Sequence, residues 1–378
     1  MTDFRKVKLV DISKPKQWKN LPISELNDTG YSVYGANGII GKYNEYNHEF
    51  PTLAITCRGA TCGTINITEP KSYITSNAMA LDDLDDSVHQ KFLYYVLKNR
   101  GFNDVITGSA QPQITRDGLS KIILNIPKSK ESQIHIANIL SKAESLIQQR
   151  KETIALLDEY LKSTFLELFG DPGINSYNWN LNKLINSFLE KPLIGSMVPA
   201  VEEGTIPMVR VGEIGSKKIN FKRCKYSNLD FNELNKYRLK DGDILLARAI
   251  GSEAHLGKAS IYYERGFTVV YDSHVMRLRF DKNKINSEFF YTFLQTNGGR
   301  KRFMQKAGQT AIQFNINSKQ ISDIDIPIPP IELQNQFAQI VEKVEVLKEQ
   351  YKSSLLELEN LYGSLSAKAI RGEMGKKN

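Results

Sequence analysis

The chain has 378 residues, with 50 Lys and Arg against 42 Asp and Glu and a formal charge of +8. At roughly 150 residues per domain, that length makes two or three units, each able to bury its own core without staples. The basic excess favours an anionic partner, either nucleic acid or a membrane surface. No apolar run approaches the roughly 20 residues that span a bilayer, and Met1–Lys6 opens no signal-peptide core, so a cytoplasmic protein without a membrane partner is expected. Cys57, Cys62 and Cys224 have no CxxC spacing and join no zinc-type His/Cys cluster, so they read as buried or incidental thiols.

In chain order, Phe4–Asp11 begins a mixed globular part. Tyr34–Gly38 carries a turn signal, Leu53–Cys57 reads as a buried strand running into the glycine-bearing loop Arg58–Gly63, and residues 89–100 read as a helix. After a strand end at Pro127, residues 131–169 place Ile136, Leu140, Ala143, Ile147, Ile154, Leu157, Leu161 and Leu168 at helical spacing. Such a helix would be about 58 Å long at 1.5 Å per residue. Asp171, Pro172 and Gly173 end it.

Residues 170–331 form a second mixed part, with a buried strand at Asp243–Arg248, a glycine-bearing loop at Ile250–Gly257 and a helix over 287–297. Pro327, Pro329 and Pro330 lead into a second long helix within 332–378, where Phe337, Val341, Val344, Leu347, Tyr351, Leu355, Leu358, Tyr362 and Leu365 repeat the spacing. Apolar residues kept at three- and four-residue steps over about five heptads make a coiled-coil seam. Two amphipathic helices, each packed on its own globular part, satisfy the same spacing. Equal length and shared register favour mutual pairing.

The second half repeats the first. Phe4–Asp11 matches Trp179–Asn186 at an offset of 175, and Ser76–Leu81 matches Ser273–Leu278 at 197. Leu119–Ile122 matches Ile321–Ile324. An offset of 201 then aligns Glu131, Gln133, Ala137, Glu144 and seven further residues with identical ones. The matches are collinear, so the chain is one globular-part-plus-helix unit written twice. The boundaries are 1–130, 131–169, 170–331 and 332–378. The globular parts carry +3 and +7, the helices −2 each over 131–169 and 332–370, and the tail 371–378 carries +2. A basic amphipathic membrane helix would show the opposite distribution. Lys217, Lys218, Lys222, Arg223 and Lys225 cluster around Phe221 and Tyr226, while Arg300, Lys301 and Arg302 follow a Gly-Gly hinge. On a repeated basic domain such runs suit phosphate contacts.

No catalytic centre emerges. Gly251–Ser260 misses the phosphate-cradling loop, with five residues between its glycines where four are needed and Ala259 where a hydroxyl should follow Lys258. A Rossmann glycine fingerprint, a GxSxG turn and an HExxH are missing. His48, His89, His135, His255 and His274 are scattered. No catalytic residue, metal ligand or cofactor is assigned to this chain, and binding is the leading class.

Two basic mixed domains, each followed by an equivalent long helix, resemble the specificity (S) subunit of Type I restriction-modification systems over essentially the whole chain. Tyr31–Gly41, Gly108–Ile114 and Ile326–Gln334 carry the resemblance, the last looking like the family's helix-leading motif. The first copy, Ile126–Gln133, keeps Glu131 and Gln133 but lacks the second Pro pair. The resemblance implies two target recognition domains, each reading one half of a split double-stranded DNA site, and two helices pairing antiparallel as a spacer. It further implies methyltransferase (M) subunits, two of them, that use S-adenosylmethionine to methylate adenine N6, and restriction (R) subunits that use ATP and Mg. The rival from the residues alone is a coiled-coil protein scaffold whose basic faces serve solubility.

Arg can bind guanine bidentately and Gln or Asn can bind adenine. On that chemistry the reading candidates are Asn37, Arg58, Thr61, Gln111, Gln113 and Arg116 in the first domain. In the second they are Arg210, Arg248, Ser252, His255, Lys258, Gln309, Gln313 and Asn315. Tyr34 and Tyr43 read as packing residues.

Overall fold

The computed structural model describes residues 3–36, 38–108, 110–250, 257–306, 308–309 and 314–374. Its residues fall into two units, one built from Met1–Glu152 with Tyr351–Asn378 and the other from Thr153–Gln350. Each unit thus takes half of each long helix rather than one globular part and the helix after it.

In the first unit, β1 (Lys14–Gln17), β2 (Leu53–Thr56), β3 (Ile65–Ile67) and β4 (Ala78–Asp82) form an antiparallel sheet in the order β1-β4-β2-β3. All four β2 residues are buried, which explains why Leu53, Ala54 and Ile55 run on without a polar residue alternating between them. The helix α1 (Gln90–Arg100) buries Phe92, Leu93, Val96 and Leu97 in the same core. A second sheet pairs Tyr31–Gly35 antiparallel with Gly38–Tyr43 and parallel with Tyr73–Ile74. Tyr34 is buried there, and the Tyr43 ring meets Tyr73 edge-on at 5.6 Å, so both tyrosines pack. Phe4–Lys8 pairs with Ile123–Pro127, the strand that feeds the long helix α2 (Lys130–Phe169).

The second unit repeats this connectivity. Its strands β5 (Phe188–Ile194), β6 (Ile244–Ala247), β7 (Ala259–Ile261) and β8 (Val275–Phe280) are ordered β5-β8-β6-β7. Pro207–Val209 pairs antiparallel with Lys225–Tyr226 and parallel with Val270–Tyr271. Leu181–Lys183 pairs with Asp325–Pro327 ahead of the second long helix. The helices α3 (Ser287–Gln295) and α4 (Ile331–Arg371) complete the copy. Residues inserted between the matched segments fall largely between Val209 and Ile244, where Ile214, Ile219, Leu229 and Leu239 join an apolar core with Met208 and Tyr262.

Within the first unit, Ile136 and Leu140 of α2 lie fully inside the core that also holds Ala369 of α4, with Tyr362 and Leu365 against it. Ala143 is buried as well. Arg150 of α2 lies 4.4 Å over the Tyr351 ring and Lys151 pairs with Glu359 at 2.9 Å. In the second unit, Phe337 and Val341 of α4 share a core with Phe165 and Phe169 of α2, with Leu161 and Leu168 against it. Val344 is buried, and Ile147, Ile154, Leu157, Leu355 and Leu358 are half-buried.

Leu347 breaks the expected seam, being 40% exposed. Its inward place is taken by Lys348, whose ammonium bonds Asp158 at 2.7 Å and pairs with Glu345 at 3.4 Å. A four-carbon stem packs along apolar neighbours while the charge finds carboxylates, so a lysine can fill a position that spacing reserves for leucine. Each helix stops at a glycine in the left-handed region, Gly170 (φ +74°) and Gly372 (φ +73°), the backbone state that closes a helix without a Cβ penalty.

Candidate nucleic-acid interface

The candidate residues of the first unit come together by backbone pairing. The chain leaving β2 bridges Arg58 to Gln113, Gly59 N–H bonds Pro112 O at 3.1 Å, and Ile114 N–H bonds Cys57 O at 3.0 Å. Gln113–Ile114 also pairs with Ile106–Thr107, making a short ribbon at one end of the sheet. Gly108 (φ +86°) turns this ribbon, and a Cβ there would sit 2.5 Å from the Gln111 carbonyl oxygen. Arg58, Gln111, Gln113 and Arg116 are all exposed. The Thr61 hydroxyl instead donates to the Ala36 carbonyl, tying the loop to the neighbouring hairpin. Asn37 lies outside the described residues.

The second unit builds the same ribbon. Ala249–Ile250 pairs with Phe314–Asn315, which pairs with Gly308–Gln309. Asn315 occupies the place of Gln113, since Ile316 N–H bonds Arg248 O at 2.9 Å just as Ile114 N–H bonds Cys57 O. The backbone at Gln309 belongs to this ribbon, whereas Ser252, His255 and Gln313 lie outside the described residues. Arg248 turns back on its own unit, donating to Ser273 O at 2.9 Å. Lys258 is half-exposed beside Gly215.

The basic clusters divide. Lys218, Lys222, Arg223 and Lys301 are exposed and Arg300 is half-buried. Lys217 is instead half-buried, its ammonium 3.2 Å from Glu288 and 3.7 Å from Glu345. Arg210 pairs with Glu213 at 3.0 Å, and Lys225 pairs with Glu202. Arg302 donates to the Pro172, Gly173 and Asp325 carbonyls. The Gly-Gly pair before it is no hinge. Gly298 and Gly299 open a helix, Asn297–Met304, capped by the Thr296 hydroxyl, and a Cβ on Gly298 would meet the Gly173 amide at 2.2 Å. Both glycines therefore serve close packing.

Two polar residues at the ribbon end of the first sheet had no sequence signal. Gln17, the last residue of β1, is exposed and donates to Ser76 O at 3.0 Å, and the Ser76 hydroxyl donates to Asn20 Oδ1 at 3.4 Å. Only the sheet register brings them beside Cys57. Burial pushes the Cys57 and Cys62 thiols up and the Cys224 thiol up to about 12, so all three are protonated and poor nucleophiles at neutral pH. Among the described residues no group of three or more His, Cys, Asp or Glu could hold a metal ion, and no helix is long and apolar enough to cross a membrane.

Comparison with known proteins agrees with the repeated fold. A specificity subunit of the Type I restriction enzyme StySPI from Salmonella potsdam is 32% identical over 150 residues, covering 39% of this chain and 32% of that relative. Local matches of this kind span about a third of the relatives' length. The specificity subunit of the Type I restriction enzyme EcoDI from Escherichia coli is 23% identical over 95% of this chain and 89% of its own length. The crystal structure of a Type I restriction-modification system S subunit from M. genitalium superposes with a TM-score of 0.63 at 18% identity, covering 98% of this chain and 96% of that one, a likeness of fold. The family model for the Type I restriction modification DNA specificity domain matches residues 1–156 and 199–359, one match in each half. The chain belongs to the family of Type I restriction modification DNA specificity domain proteins.

Proposed function

We propose that the chain is the sequence-reading specificity subunit of a Type I restriction-modification enzyme and performs no catalysis itself. Residues 1–130 and 170–331 are its target recognition domains, each reading one half of a bipartite site in double-stranded DNA. The long helices pair as an antiparallel coiled coil that sets the gap between the half-sites and docks methyltransferase subunits. S-adenosylmethionine belongs to those partners, and ATP with Mg to restriction subunits, in the cytoplasm. The observation that carries this reading is the ribbon built twice at the same place in the fold, with Gln113 and Asn315 in register and exposed basic residues in both units. A groove reader needs such a pair of polar edges, with lysines and arginines holding phosphates around them.

A salt titration of duplex binding by the chain with its partner methyltransferase tests this. If six to ten phosphates are neutralised, affinity should fall by about 10³ to 10⁵ between 50 and 200 mM salt, linearly on logarithmic axes. No measurable duplex binding, with the partner protein still captured, would instead identify a protein scaffold.

A further inference from the structure

Gln133 and Gln334 occupy the first turn of α2 and α4 respectively, and both side chains are fully buried. Gln133 Oε1 accepts from the His89 N–H at 2.7 Å, while its Nε2 donates to the Ser87 and Pro127 carbonyls, each at 2.9 Å. Gln334 makes the same three bonds. Its Oε1 accepts from the Asn286 N–H at 2.9 Å, and its Nε2 donates to the Lys284 carbonyl at 3.1 Å and the Pro329 carbonyl at 2.8 Å. In both cases one N–H and two carbonyls leave the amide a single usable orientation.

His89 and Asn286 are the N-caps of α1 and α3, each capping its helix with its own side chain. A capping box would satisfy the backbone N–H of such a residue with Glu or Gln at the third helical position. That position holds Phe92 in α1 and Phe289 in α3, both buried. The open N–H is therefore supplied from outside, by the long helix. Every partner of the two glutamines is a backbone group, so the joint does not depend on which side chains the globular part presents.

A second attachment lies eleven residues further along each helix, about 16 Å at 1.5 Å per residue. Glu144 accepts from Tyr95 Oη at 2.9 Å and pairs with Lys98, and Glu345 lies 3.7 Å from Lys217. One attachment leaves a globular part free to swivel on the helix, whereas two fix its direction. Of these, the glutamine joint is chemically the same in both copies, whereas the partners of the glutamate differ.

Resting on the reading of the two globular parts as half-site readers, we infer that Gln133 and Gln334 are positioning residues for recognition, each mounting its own reader on the first turn of its own helix. Each acts on one half-site alone. The test uses Gln133→Met and Gln334→Met in the full chain with its partner methyltransferase. Methionine keeps the volume and removes the three bonds. Hydrogen exchange should rise at least tenfold over residues 86–93 in Gln133→Met with 284–290 unchanged, and the reverse in Gln334→Met. Methylation by Gln334→Met should fall tenfold or accept altered bases only in the half-site that changes when residues 170–331 are exchanged, and Gln133→Met should affect only the other.

Equal loss of both half-sites in each variant would reduce the glutamines to general stability and overturn the inference, as would unchanged exchange. Should either variant fail to accumulate, Gln133→Glu or Gln334→Glu, which keeps the acceptor but sets oxygen against two carbonyls, takes its place with the same two outcomes. If the wild-type complex methylates no bipartite site, the functional reading fails while the exchange data still decide the joint.

Discussion

Replacing Arg279 with Met is expected to destabilise the second unit by about 3–5 kcal/mol, the cost of stripping one partner from a buried ion pair. Arg279 grips Asp243 with two bonds, Nε to Oδ1 at 2.7 Å and Nη2 to Oδ2 at 2.6 Å, and reaches Glu190 with Nη1 at 2.6 Å. The Asp243 side chain is 1% exposed, so water cannot replace the guanidinium. Because Arg279 lies on β8, Glu190 on β5 and Asp243 just before β6, the cluster staples three strands of the sheet. The double replacement Asp243→Leu with Arg279→Met should recover most of the loss, since a well-packed apolar pair avoids desolvating charge. Urea unfolding in a Trp18→Phe background reads the second unit alone, because Trp179 is then the remaining tryptophan. A loss below about 1 kcal/mol, the range of an exposed pair, would show that water reaches the pair.

The cluster also carries a sign in acid. Burial pushes the Glu190 carboxyl up, but Arg279 and Arg277 outweigh burial and hold it below the ordinary carboxylate range. A group with a depressed folded value stabilises above its unfolded value, and that share is lost as pH falls through the folded one.

Removing seven residues from each long helix is expected to shorten the gap between half-sites by about 3 base pairs and leave both half-sites unaltered. One heptad is about 10 Å of helix, and a base pair rises about 3.4 Å. Residues 146–152 and 353–359 are suitable, because Lys151 pairs with Glu359 and the two deletions remove matched stretches. Keeping the heptad whole preserves which side chains face inward. Methylation by the shortened chain with its partner gives the gap directly. Altered half-sites with an unchanged gap would refute the spacer.

Much of the architecture was legible because it depends on local periodicity and on self-similarity. The helices fall at Lys130–Phe169 and Ile331–Arg371, and the sheet order recurs in both copies as the collinear matches require. Pairings between distant side chains were not legible. Lys217 reads as part of a basic face until the fold sets it between Glu288 and Glu345. Arg279 and its counterpart in the alignment, Asp82, carry opposite charges. Asp82 is held by Trp18 Nε1 and the His48 ring, each at 3.0 Å, a network no repeat could suggest. Leu347 and Lys348 exchange places for the same reason, since the carboxylate that draws Lys348 inward is Asp158, far away in sequence. The ribbon with Arg58 and Gln113 was half legible: the residue chemistry pointed to it, and the bridge between them came only with the fold.

The most direct test of the central claim is methylome sequencing of cells carrying this chain with its partner methyltransferase. The expected result is adenine methylation at two half-sites separated by a fixed gap, vanishing when the chain is deleted and changing in one half-site when residues 1–130 are exchanged. The same methylation without the chain, or a single uninterrupted motif, would contradict it.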